Sequence, residues 1–150
     1  MSSEWAVEAV KGLRKRHALQ QQQSGAMFER RKLLQEQGDI LWKQVRQHVA
    51  ELAEEFNAEI GSKAISVLPG PLNELQVRIA VLTMRKELLA EFDASSVQEA
   101  LHWSYDRGST KGRQYELFVN EYGAVSIGPG QTTRSPETIA TEMLDGLLEE

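Results

Sequence analysis

Hydrophobic positions recur first with a helical period, then with a period of two, then with a helical period again. Trp5, Ala6, Ala9, Val10 and Leu13 share one face of a helix expected from Glu4 to about Leu19, capped by Ser2 or Ser3, with Lys11, Arg14 and Lys15 opposite. Gln20 to Gln23 then leads into Ser24-Gly25, a breaker signal and the best candidate for a hinge or frayed joint. A second helical stretch is expected from near Ala26 to Gly61, with Gly38-Asp39 as a candidate break and Asp39 as the cap of the helix beyond it. From there Leu41, Val45, Val49, Leu52, Phe56 and Ile60 recur at steps of four, four, three, four and four, and Gly61 stands where a left-handed C-terminal glycine belongs.

After Ser62 the period changes. Ala64 to Leu68 reads as a short strand and Pro69-Gly70-Pro71 as a turn. Leu75, Val77, Ile79 and Val81 alternate with Glu74, Gln76, Arg78 and Ala80, which is a half-buried strand with one wet face. Met84-Arg85-Lys86 reads as the turn into a return strand, Glu87 to Asp93. Val97 to Tyr105, Gln114 to Asn120 and Ala124 to Ile127 complete six strands joined by short links, the pattern of an antiparallel meander. Ser95 to Glu99 has a second reading, a capping box between Ser96 and Glu99 opening a short helix; the alternation through Tyr105 favours the strand. A hairpin centred near Thr110 would set Tyr105 against Tyr115, Trp103 against Leu117 and Leu101 against Val119.

The last helix has the clearest start signal. Ser135 is the cap, Pro136 takes the first helical position and Glu137 lies in the positive first turn. Ile139, Ala140, Met143, Leu147 and Leu148 form its apolar face. It ends on Glu149-Glu150, where the helix dipole opposes carboxylates, so its last turn is expected to fray. The expected fold is α+β: N-terminal helices, an antiparallel sheet of about six strands in meander order, and a C-terminal helix packed on one sheet face.

Composition then narrows the chemistry. The 150 residues suit one ordinary domain, and at 41% hydrophobic and 26% charged they have a globular composition. The absence of cysteine removes disulfides, thiolate nucleophiles and thiolate metal sites. The N-terminus lacks the apolar block of a secretory signal, and no apolar run approaches a membrane span, so a cytoplasmic protein without a membrane partner is expected. The net charge of −5 is unevenly spread: residues 1–46 hold nine Lys/Arg against five Asp/Glu, and residues 47–150 hold eight against seventeen. A basic N-terminal segment on an acidic body suits an acidic protein surface, a second copy of the chain, or nucleic acid.

Sharper chemistry finds little footing. Gly108-Ser109-Thr110-Lys111-Gly112 resembles a phosphate loop only superficially, since three residues separate its glycines and a strand pattern follows. Arg107, Lys111 and Arg113 on that hairpin tip remain a possible anion contact. His17, His48 and His102 show no metal-ligand spacing; His102 stands near Glu116 and Asp106, either of which could orient it as a base. Neither a metal site, a cofactor nor catalysis is expected. Nucleic-acid binding is disfavoured, because Arg14, Lys15 and Arg16 do not share a helix face and Trp103 and Tyr105 are needed in the core.

The expected organisation is a helical arm over residues 1–37 and an α+β domain over 38–150. The expected function is a non-enzymatic interaction module. Trp5, Val10, Leu13, Phe28 and Leu33 would form its contact surface, and its partner would be a second copy or another protein. Two alternatives stand beside it: a small-molecule binding domain with its ligand between the sheet and the long helix, and nucleic-acid binding through the basic arm.

Overall fold

The computed structural model describes residues 4–95, 98–107 and 110–149. The chain divides into two compact units, Met1–Leu33 and Leu34–Glu150. The division falls four residues before the expected boundary. The expected cap at Ser2 or Ser3 lies outside the described residues.

One helix, α1 (Glu4–Ile60), replaces the two that the breaker signals suggested. It continues through Ser24-Gly25 and through Gly38-Asp39. A single glycine costs a helix about 1 kcal/mol relative to alanine, which good helix formers such as the flanking glutamines and glutamates tolerate. Gly38 has a packing role instead. A Cβ there would stand 3.0 Å from Leu117 Cδ2 and 3.2 Å from Phe92 Cζ, so the missing side chain lets helix and sheet approach closely. The buried stripe of this part of α1 runs Leu34, Gly38, Trp42, Val45, Val49 and Ala53. It shares Val45 and Val49 with the expected stripe and is centred slightly to one side of it, so Leu41, Leu52 and Phe56 are half-buried and Ile60 is exposed. Gly61 takes the expected left-handed conformation, and its N–H closes onto Asn57 O at 2.9 Å. The Asn57 amide then ties the helix end to the first strand, accepting from Ala64 N and Ile65 N and donating to Ile65 O.

The sheet is a six-stranded antiparallel meander in the order expected: β1 (Ile65–Leu68), β2 (Glu74–Val81), β3 (Met84–Asp93), β4 (Ala100–Tyr105), β5 (Arg113–Val119) and β6 (Val125–Gly128). A short 3-10 turn, Pro129–Gln131, leads to helix α2 (Pro136–Leu148). Along one face Phe92 pairs with Leu101 and Leu101 with Tyr115. The Trp42 ring of α1 stacks on Phe92 with centroids 5.5 Å apart, and Glu142 of α2 meets the Tyr115 hydroxyl. The C-terminal part of α1 and α2 therefore cover the same sheet face, with Val77, Leu88, Trp103 and Ile127 beneath them. Ser135 caps α2 as expected, its hydroxyl accepting from Thr138 N at 3.1 Å with Pro136 opening the first turn.

Three local expectations are corrected. The β2–β3 turn is Leu82-Thr83, with Val81 paired to Met84, so Met84, Arg85 and Lys86 belong to β3. Lys86 accordingly alternates inward and is only 4% exposed. The β4–β5 hairpin is slipped by four residues from the expected register: Leu101 opposes Tyr115 and Trp103 opposes Arg113. Side-chain parity survives a four-residue slip, which is why Leu101, Trp103, Tyr115 and Leu117 are still the buried ones, although Tyr105 and Val119 are only half-buried and Phe118 is buried against the expected parity. The register is held where Gly112 lies so close to the Trp103 carbonyl that any Cβ would overlap it. Finally, β4 begins at Ala100 and not at Val97; Glu99 has φ 46°, and its N–H returns to Ser95 O at 3.1 Å, closing one turn before the strand. Ser96 and Val97, on which both the strand and the capping-box readings drew, lie outside the described residues.

Candidate interaction surface

Within unit Met1–Leu33 the large apolar side chains are mostly in water. Trp5 is 79% exposed, Leu13 62% and Phe28 69%; Val10 is also exposed and Leu33 is half-buried. Eighteen residues make five turns at 3.6 per turn. Val10 and Phe28, eighteen apart, thus lie on one bearing of the helix, as do Ala9 and Met27. The four form two patches of one stripe, separated by the polar segment Arg14–Arg16 and Gln20–Gln23. Val7 and Leu19 are exposed as well, off this stripe, and sequence periodicity gave no reason to single them out.

The same unit is basic. Residues 1–33 carry seven Lys/Arg against three Asp/Glu, a net +4, while residues 34–150 carry ten against nineteen, a net −9. Lys11 stands 4.0 Å from Glu8 with both side chains largely in solvent, a pair that screening leaves with little energy. In the second unit Glu51, Glu54, Glu55 and Glu59 are all exposed along α1, as expected of a solvated carboxylate face. Among them only Glu51 has a local partner, the Gln47 amide at 3.1 Å and the His48 ring at 3.7 Å.

The remaining sequence candidates are dispersed. Arg107 and Lys111 are exposed on the β4–β5 loop, whose Gly108 and Ser109 lie outside the described residues. Arg113 leaves that tip altogether: it reaches across to α2, 2.9 Å from Glu142, with Arg134 3.5 Å from the other carboxylate oxygen and the Tyr115 hydroxyl on the same group. The network fastens α2 to β5. Burial raises the Tyr115 hydroxyl above its ordinary pKa, and the Glu142 carboxylate adds to this. The expected partner of His102 is corrected too. Its Nε2 stands 3.3 Å from Glu91 on β3, while Glu116 opposes Ala100. His48 lies 3.9 Å from Glu137. Among the described residues no group of three or more His, Asp or Glu side chains is placed to hold a metal ion, and no helix is long and apolar enough to cross a membrane.

Trp103 occupies the core as expected, and Tyr105 beside it is half-buried. Trp103 meets Tyr115 edge-on at 5.0 Å, and the Tyr105 hydroxyl donates to Met143 O at 2.7 Å. Burial pushes the Tyr105 hydroxyl up to about 12. Of the residues that sequence reasoning passed over, Trp42 and Lys86 matter most. Both carry polar groups that only long-range pairing satisfies: Trp42 donates to Leu72 O at 2.6 Å, and Lys86 to the end of α2. No protein family, curated protein or solved structure matches this chain.

Proposed function

We propose that this chain is a non-enzymatic, cytoplasmic interaction module that assembles as a homodimer, with the helical arm of one copy seated on the acidic domain of the other. The observation that carries the reading is the coincidence of exposed apolar side chains, Trp5, Leu13 and Phe28, with a +4 charge on the unit that bears them. Burying a side chain of this size contributes about 1.5–3 kcal/mol, so three of them offset only part of the association cost of roughly 4–15 kcal/mol. Attraction between the +4 unit and a −9 unit supplies the rest and selects a second copy of the chain over a neutral partner.

The test is the solution mass of the full chain by light scattering. Wild type should give twice the 16.9 kDa of one chain at micromolar concentration, and the dimer should weaken as salt screens the attraction. Leu13→Asp with Phe28→Asp should give a monomer with unchanged melting temperature, because both side chains are exposed. A monomeric wild type, or a dimer indifferent to the two substitutions, would remove the arm from the mechanism. Salt-sensitive binding of an arbitrary DNA fragment in place of dimerisation would favour nucleic acid instead.

A further inference from the structure

A second feature of the body has no part in that reading. A cleft of about 710 Å³ opens in the Leu34–Glu150 unit at the end of β3, between α1 and the β1–β2 and β3–β4 links. Its volume lies within the range of small-molecule sites. The stacked rings of Trp42 and Phe92 contribute its apolar lining. The indole N–H of Trp42 and one Arg46 amino group both donate to the carbonyl of Leu72, at 2.6 and 3.3 Å, which fixes these side chains against the rim.

The charged groups are arranged unusually. Lys43 and Arg46 line the cleft from α1, and Glu91 and Asp93 line it from β3, with Asp39 also on α1. No ion pair among the described residues joins either cation to any of these three carboxylates. Glu91 is engaged instead by His102 and one Asp93 oxygen by Ser95 N. Among the described residues Arg46 bonds only to Leu72, and its buried Nε–H has no acceptor there, a cost proteins seldom leave standing. A simple anion placed here would face three carboxylates, and a simple cation would face Lys43 and Arg46. A ligand with one charge of each sign satisfies both sides.

We propose that this cleft binds a small zwitterion, a free α-amino acid or dipeptide. Its carboxylate lies on Lys43 and Arg46, its ammonium group faces Asp93 and Asp39, and its side chain lies against the edges of Trp42 and Phe92. The Arg46 amino group that does not hold Leu72 offers the carboxylate a charge-assisted hydrogen bond, with the Lys43 ammonium beside it.

The experiment uses the full chain labelled with nitrogen-15. Its three tryptophans give three indole N–H signals, and Trp42 is the one at the cleft. Pools of common amino acids and dipeptides are titrated in, followed by the N-acetylated and C-amidated forms of any that bind. Free zwitterions should move the Trp42 signal and leave that of Trp5 in place. The blocked forms should bind about tenfold more weakly or worse, as should free zwitterions to Lys43→Gln and Asp39→Asn, whose exposed positions leave the fold intact. Absence of any Trp42 shift up to about 10 mM would overturn the proposal. So would N-acetylated ligands binding as tightly as free ones, or binding unaffected by both substitutions.

Discussion

Lys86 offers the most demanding test of how this fold is held together. Its Nζ donates to Gly146 O at 2.7 Å, to Glu149 O at 2.9 Å and to Thr110 Oγ1 at 2.7 Å, and it lies 4.8 Å from the centre of the Tyr105 ring. The last turn of α2 contains no basic residue of its own. A sheet lysine thus supplies the positive charge that the free carbonyls of the C-terminus require, in place of the frayed turn that Glu149 and Glu150 suggested. Lys86→Met keeps the length of the side chain and removes the ammonium. A hydrogen bond to a charged donor contributes about 1.5–3 kcal/mol, and a cation at a helix C-terminus up to about 2 kcal/mol. Against this, an ammonium group no longer has to be desolvated, which returns several kcal/mol, on the order of what the bonds contribute. The acceptors decide the sign. Gly146 O keeps a bond from Thr110 at 3.1 Å and the exposed Glu149 can turn to water, so the loss falls well short of three full bonds. The expected outcome is a destabilisation of about 1.5–3 kcal/mol, a midpoint shift of roughly 1 M urea at common m-values. The buried Trp42 and Trp103 provide the fluorescence signal, and amide exchange in the last turn of α2 should accelerate beyond the global change. A neutral or more stable Lys86→Met would show that the buried charge is a liability the fold tolerates, and the capping argument would fail.

Other substitutions probe the same packing. Gly146→Ala should destabilise by about 1–3 kcal/mol despite alanine's advantage of about 1 kcal/mol in a helix, because its Cβ would overlap the Tyr105 hydroxyl end and break the bond to Met143 O. A more stable variant in urea melts would mean that the ring moves aside freely. Leu82 is 90% exposed with φ 53°, so Leu82→Asn should stabilise by about 0.5–1 kcal/mol in the same assay, since asparagine visits the left-handed region more readily; a loss would show that the leucine makes a stabilising contact at the tip. Tyr105 at about 12, against 10.0 in the unfolded chain, gives stability fully present below pH 10 and lost as pH rises towards 12. Phenolate absorbance should therefore lag in the native protein relative to the chain in urea, and coincident titrations would refute the burial of that hydroxyl.

Much of the architecture was legible because burial leaves a periodic trace. Alternation in Leu75 to Val81, and the Ser135-Pro136-Glu137 start of α2, are local signals that tertiary structure had no reason to override, while in Tyr115 to Val119 it holds only as far as Leu117 because Phe118 is buried as well. The helix breaks were misread for a corresponding reason. A glycine in a helix looks the same in sequence whether it ends the helix or admits a neighbour, and Gly38 admits Leu117 and Phe92, nearly 80 and more than 50 residues away in the chain. The residues proposed as a contact surface stood out in the sequence as apolar positions without a stripe long enough to fill, whereas a ligand site between sheet and long helix could be named only in general, without any of its residues. Lys43, Arg46, Glu91 and Asp93 read as ordinary wet positions, and only the stacking of Trp42 on Phe92 brings the two pairs to one opening.

The slipped hairpin shows why a pairing argument from side chains alone stops short. Tyr105 against Tyr115, Trp103 against Leu117 and Leu101 against Val119 are good pairs, each contributing about 0.2–1 kcal/mol. The register adopted gives up all three, sets Leu101 against Tyr115 and leaves Trp103 against Arg113. What it gains lies outside the hairpin. Arg113 is carried to Glu142, Tyr115 meets Trp103 edge-on and Glu142 at its hydroxyl, and Tyr105 pairs with Leu88 and is freed to cap Met143 O. Slips of an even number of residues keep the same side chains inward, so the hydrophobic pattern cannot choose between them. The choice falls to polar groups that need partners on α2 and to Gly112, the residue at which the backbone of β4 tolerates no side chain opposite. The β4–β5 register and the seat of α2 are therefore one decision, made by Arg113, Tyr105 and Glu142 together, and it could be read only once the helix was in place.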